Sequence, residues 1–97
     1  IHEPVLENIA IVLPDAGYLE SVRQLCDQYD IILIFDEVKT GLTAGNQGAA
    51  QRLGVQPDLI TLAKSIGGGV PVAAFGGKDK YMQAVADGRL GHFGSTC

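Results

Sequence analysis

Two cysteines in 97 residues, Cys26 and Cys97, are too few for a disulfide framework. Cys26 falls within a helical pattern and Cys97 is the last residue, so a reducing, cytoplasmic compartment is the simpler expectation. No charged leader precedes an apolar run, so no signal peptide is expected. Apolar runs such as Ile31 to Phe35 fall far short of the roughly 20 residues that a membrane helix needs. Basic residues are scarce as well: seven Lys and Arg against eleven Asp and Glu leave a net charge of −4. That balance offers nothing to a polyanion, so neither nucleic acid nor an acidic membrane surface is expected as a partner. The chain also lacks repeats, low-complexity segments and an initiator Met. It begins in mid-pattern and stops after Gly94-Ser95-Thr96-Cys97, which reads as a fragment of a larger protein. With 46% hydrophobic and 19% charged residues the composition is globular, and residues 1–97 are expected to form part of one domain with no internal boundary.

What is present alternates between two periodicities. Ile9 to Leu13 is a short apolar run closed by Pro14 and suits a strand or its exit loop. Tyr18, Leu19, Val22, Leu25, Cys26 and Tyr29 recur at helical spacing, with Glu20, Arg23, Gln24 and Asp27 opposite, which predicts an amphipathic helix of about three turns. Ile31 to Phe35 has no polar alternation, the pattern of a strand covered on both faces. Thr40 to Gly48 reads as loop, and Ala49 to Leu53 as a short helix stopped by Gly54. Leu59 to Leu62 and Val70 to Phe75 are predicted strands, the second closed by Gly76-Gly77. Asp79 is a candidate N-cap for a helix to about Ala86, with Met82, Val85 and Ala86 inward. Strands alternating with helices predict an α/β fold with a mostly parallel sheet and flanking helices.

Two residues stand out chemically. Asp36 follows five apolar residues and is followed by Glu37; open α/β sheets bind ligands at such carboxyl ends of strands. A strand-end acid pair also serves as a metal-binding or helix-capping site, and acid pairs of this kind occur in P-loop ATPases. No GxxxxGK[ST] motif accompanies this one. Lys64 follows Thr61-Leu62-Ala63 in an apolar setting, which suits a nucleophilic amine, and Gly67-Gly68-Gly69 beyond it lets backbone approach a bulky ligand. The bland alternative is a surface lysine before a flexible turn. Val38, two residues past Asp36, shares its face if the strand continues, and could pack on a flat ring or simply fill the core. An acid and an amine on separate strand ends suit pyridoxal 5′-phosphate (PLP), which needs a partner at its ring nitrogen and another at its aldehyde carbon. No metal site is assigned.

Taken together, Phe35-Asp36-Glu37-Val38-x-Thr40-Gly41, Pro57-Asp58 and Leu62-Ala63-Lys64-Ser65-Ile66-Gly67-Gly68-Gly69-Val70-Pro71 closely resemble the class III (subgroup II) PLP-dependent aminotransferases. Within them the chain looks most like the glutamate-1-semialdehyde 2,1-aminomutase group. The spacing from Asp36 to Lys64 suits that group, and Glu3 matches the family's strand-end Glu-Pro.

The resemblance implies part of the large domain of a fold-type-I PLP-dependent transferase. It implies amino-group transfer through a Lys64 Schiff base, between a small-molecule amine donor and a carbonyl acceptor. Asp36 would pair with the pyridinium nitrogen, Val38 would pack on the ring, and Ser95 or Thr96 would reach the phosphate of a neighbouring subunit's PLP in a homodimer. The alternatives are the aminomutase reaction yielding 5-aminolevulinate, a racemase or epimerase on the same scaffold, and an inert remnant or scaffold. Leu42-Thr43 stand where the family commonly has Phe-Arg, and Lys39 where an uncharged residue is frequent; both bear on substrate rather than on Schiff-base chemistry. The family's phosphate-cradling turn and ring-stacking aromatic are not among these 97 residues. His92 and His2 are expected to be structural or incidental.

Overall fold

The computed structural model describes residues 1–90. Helix α1 (Tyr18–Gln28) starts after Gly17 at φ 82°. It ends in a Schellman motif: Asp30 takes the left-handed conformation at φ 52° and the Ile31 N–H returns to the Cys26 carbonyl at 2.8 Å. Its buried face is narrower than the periodicity predicts. Leu19 and Cys26 are buried, whereas Tyr18, Leu25 and Tyr29 are exposed. Leu19 and Cys26 join Leu33, Phe35, Ala50 and Val55 in the core.

Strand β1 (Ile34–Asp36) is shorter than the apolar run suggests, and Ile31 and Ile32 are exposed. The backbone explains this. Ile31 is still tied to α1, and at Leu33 the N–H donates to the Asp58 carboxylate while the carbonyl accepts from the N–H groups of Asp58 and Leu59. The ladder therefore begins only at Ile34. On one side β1 pairs in parallel with β2 (Leu59–Leu62), with Asp36 opposite Thr61. On the other it pairs in parallel with His2, whose N–H and carbonyl bond Ile34 and Asp36. Flanked on both edges, Phe35 is fully buried. His2 is thus a working part of the sheet edge, and its ring meets Phe35 edge-on at 5.2 Å.

Strand β3 (Ala74–Gly77) pairs antiparallel with β2, so the described sheet, in order β1-β2-β3, is mixed. The strand predicted from Val70 to Phe75 is displaced toward the C-terminus. Gly76 and Gly77 lie inside the pairing opposite Ile60 and Leu59, and a Cβ on Gly77 would fall 2.1 Å from the Asp58 carbonyl oxygen. Gly77 permits close backbone approach, and neither glycine ends the strand. Ile9 to Leu13 forms no strand, only an isolated bridge between Leu6 and Val12 around a tight loop. The short helices α2 (Thr40–Thr43) and α3 (Gly48–Leu53) pack against each other, and Ala50 of α3 joins Leu33 and Phe35 in the core; α2 takes four residues from the predicted loop. Helix α4 (Asp79–Ala86) has Lys78, not Asp79, at its N-cap; Met82 and Val85 are half-buried and Ala86 is exposed. None of the described helices is long and apolar enough to cross a membrane.

Asp58 holds these layers together. It is 3% exposed, and its carboxylate accepts from Arg23 of α1 at 2.8 Å, from the Leu33 N–H at 2.8 Å and from Lys78 at 2.6 Å. Burial alone would raise its pKa, but the Lys78 ammonium, the Leu33 N–H and the Arg23 guanidinium outweigh that and hold it at about 2, against an ordinary 3.8. A lowered folded-state value means stability that is present above pH 4 and lost as the pH falls toward 2. The contribution is about 2 kcal/mol, and urea titrations between pH 6 and pH 2 on wild type and Asp58→Asn should show it only in the wild type. An equal acid sensitivity in the variant would refute the assignment. A second expectation comes from Ala10, at φ 77° in the loop between Leu6 and Val12. An L-residue there is strained where glycine is not, so Ala10→Gly should raise stability by about 0.5–1 kcal/mol in thermal melts; no gain would count against strain at this position.

Candidate active site

The two adjacent acids at the end of β1 have separate tasks. Glu37 is 2% exposed and turned inward. Its Oε2 accepts from the Ala49 N–H at 2.7 Å and the Thr40 hydroxyl at 3.0 Å, and its Oε1 accepts from the Ala50 N–H at 2.9 Å. It therefore caps the N-terminus of α3, where free N–H groups and the helix dipole favour an anion. Gly48, at φ 70°, makes room: a Cβ there would sit 2.2 Å from Glu37 Oε2. Of the readings open to an acid pair in this position, helix capping holds for Glu37.

Asp36 projects the other way and is half-buried. Its Oδ1 accepts the Val38 N–H at 3.0 Å, closing an Asx turn, and the Thr61 hydroxyl at 3.3 Å. Its Oδ2 has no hydrogen bond among the described residues. The strand ends at Asp36 and Val38 lies in the turn that follows, so the shared-face reason for Val38 does not hold. What links Val38 to Asp36 is the backbone bond.

Lys64 opens a 3₁₀ turn (Lys64–Gly67) two residues after β2. It sits at φ 51°, a left-handed conformation that is uncommon for a residue with a long side chain. Strain of this kind gathers at functional positions, and this signal was invisible in the sequence. The lysine is exposed, not enclosed by apolar residues as the sequence suggested, and its amine makes no hydrogen bond or ion pair among the described residues. Gly68 and Gly69 follow at φ 56° and 103° with open space around both. Because β1 and β2 run parallel, Asp36 and Lys64 emerge at the same end of the sheet, Lys64 three residues beyond Asp36's partner Thr61. Gly41 keeps the α2 turn close by, since a Cβ there would meet Leu62 Cδ2 at 2.3 Å. Ser95 and Thr96 lie outside the described residues, as does His92.

An anion with one oxygen uncommitted, an exposed amine and a glycine turn beside them form a donor set suited to a flat ligand bearing both a basic ring nitrogen and an electrophilic carbon. The family model for aminotransferase class III matches residues 1–96. The chain belongs to the class III aminotransferase family. A glutamate-1-semialdehyde 2,1-aminomutase from Desulfovibrio desulfuricans is 56% identical over 86 residues, which are 89% of this chain and 20% of the relative. The chain thus spans about a fifth of the length of the curated relatives it matches. Among solved structures, a transaminase with PLP bound superposes with a TM-score of 0.86 at 31% identity, over 96% of this chain and 23% of that one. A glutamate-1-semialdehyde-aminomutase from Pseudomonas aeruginosa PAO1 in complex with PMP gives a TM-score of 0.78 at 31% identity, over 96% of this chain and 20% of that one.

Thr61 escaped the sequence reading. Its only sequence signal is its position three residues before Lys64; its contact with Asp36 depends on the β1–β2 register. The division between the two acids gives an asymmetric expectation. Glu37→Ala strands two buried N–H groups and should cost about 2–4 kcal/mol, whereas Asp36→Ala should cost less than about 1 kcal/mol. Chemical denaturation of both variants reads this directly, and the opposite order would exchange the two roles.

Proposed function

We propose that the protein to which this chain belongs transfers amino groups with PLP, Lys64 supplying the amine that holds the cofactor's aldehyde carbon. The observation that carries this is the strained, exposed Lys64 at the same sheet end as Asp36. When bound, the cofactor supplies the electron sink that stabilises negative charge at a substrate α-carbon. Asp36 would face the ring nitrogen with its uncommitted Oδ2 and keep that nitrogen protonated. The Lys64 amine would carry a proton to and from the α-carbon. Val38 would press on one ring face. Ser95 or Thr96 would reach the phosphate held by a neighbouring subunit, which makes a homodimer part of the proposal. Substrates would be a small amine donor and a carbonyl acceptor. The buried free thiol of Cys26 suits a reducing, cytoplasmic setting.

Within this class the aminomutase reaction has specific support: relatives bearing that name are 51–56% identical to this chain. In it glutamate-1-semialdehyde would act as both amino donor and acceptor, giving 5-aminolevulinate. The inert-scaffold alternative is separated by chemistry. Borohydride reduction of the full-length protein with PLP, followed by peptide mass spectrometry, should place a phosphopyridoxyl group on Lys64. Lys64→Ala should lose the label and lower turnover by about a thousandfold or more. Absence of label at Lys64 in the full-length protein would leave the scaffold reading in possession.

A further inference from the structure

We infer that Thr61 is a positioning residue for Asp36, coupling the acid on β1 to the segment that carries Lys64; this rests on the PLP reading above. Among the described residues, Asp36 is held at one oxygen only. One of the two donors, the Val38 N–H, belongs to its own turn and moves with it. The other, the Thr61 hydroxyl, comes from the neighbouring strand. Thr61 also accepts the Glu37 N–H on its carbonyl at 3.0 Å, so a single residue grips the end of β1 through both backbone and side chain. Three residues further on the same chain reaches Lys64.

Both donors fall on Oδ1, so the carboxylate is fixed in rotation while Oδ2 stays available for a ligand. Outer hydrogen bonds of this kind set both the direction and the basicity of the group they support. At 3.3 Å the hydroxyl contact is longer than the roughly 2.7 Å usual for O–H···O bonds, so it orients Asp36 together with the shorter Val38 N–H bond and not alone. Glu37, by contrast, has both oxygens engaged by α2 and α3 and cannot substitute for Asp36 as the acceptor.

The test compares wild type, Thr61→Val and Thr61→Ser in the full-length protein. PLP affinity is measured by equilibrium dialysis, and the absorbance of the bound cofactor is titrated from pH 5 to pH 9. Thr61→Val keeps the shape of the side chain and loses the hydroxyl. It should weaken PLP binding by about tenfold and move the spectroscopic pH midpoint, with the melting temperature little changed. Thr61→Ser should return both values close to wild type, which a purely packing role would not explain. Should valine prevent folding, Thr61→Ala against Thr61→Ser carries the same comparison. A valine variant equal to wild type in affinity and midpoint would overturn the role of Thr61 alone, as would failure of serine to restore them. No PLP uptake by the wild type would overturn the cofactor reading and this inference with it.

Discussion

The buried carboxylate of Asp58 is the constraint on which the rest of the chain depends. An ion this deeply buried is costly unless its lone pairs are met, and three donors meet them. Each comes from a different part of the chain: Arg23 from the helix before β1, Leu33 from the entry to β1, and Lys78 from the junction of β3 and α4. Asp58 is also the residue immediately before β2. Its own N–H bonds the Leu33 carbonyl, so the first register contact between β1 and β2 is set before either strand begins. Three residues later, that register puts Asp36 opposite Thr61. The position of the candidate site is a downstream effect of a salt-bridged acid at the far end of the same strands.

Asp36 and Glu37 illustrate how adjacent residues of the same charge acquire opposite duties. Successive side chains on an extended segment point to opposite faces. One acid therefore enters the layer beneath and spends its charge on the N–H groups of α3, while the other remains at the surface with an oxygen to spare. The longer side chain goes inward, where it must cross to another element. The shorter one stays near its own backbone and closes a turn. The buried acid also ties the end of β1 to the helices after it, with Thr40 of α2 and Ala49 and Ala50 of α3 on the Glu37 carboxylate.

The legible part of this arrangement was what local order encodes. Apolar runs ending on Asp36 and shortly before Lys64 marked two strand ends, and Gly54 marked the end of α3, where it adopts φ 72°. The parts that were not legible depend on partners distant in sequence. Capping by Glu37 needs Ala49 and Ala50, twelve and thirteen residues on. The Thr61 contact spans twenty-five. Gly76 and Gly77 read as breakers because glycine usually is one; in this sheet the absence of a Cβ at Gly77 is what lets β3 approach Asp58. The periodicity behind Val38 failed because a carboxylate two residues earlier could offer the backbone a turn in place of a ladder.

The backbone at Lys64 runs against local preference, and the surrounding structure shows how it is kept there. A left-handed non-glycine residue costs on the order of 1–2 kcal/mol. Ahead of it β2 is locked on both edges, by β1 and by β3. Behind it the turn closes through Ile66 N–H to the Ala63 carbonyl and Gly68 N–H to the Ser65 carbonyl, at 3.4 and 3.3 Å. Those bonds are long, and Gly68 and Gly69 beyond them have nothing within 4 Å of where a Cβ would be. The strain is thus imposed from the rigid strand side and borne on a loosely held glycine side. A lysine at such a junction has a fixed origin and an amine with no partner among the described residues, which suits the anchoring and proton-moving roles proposed for it.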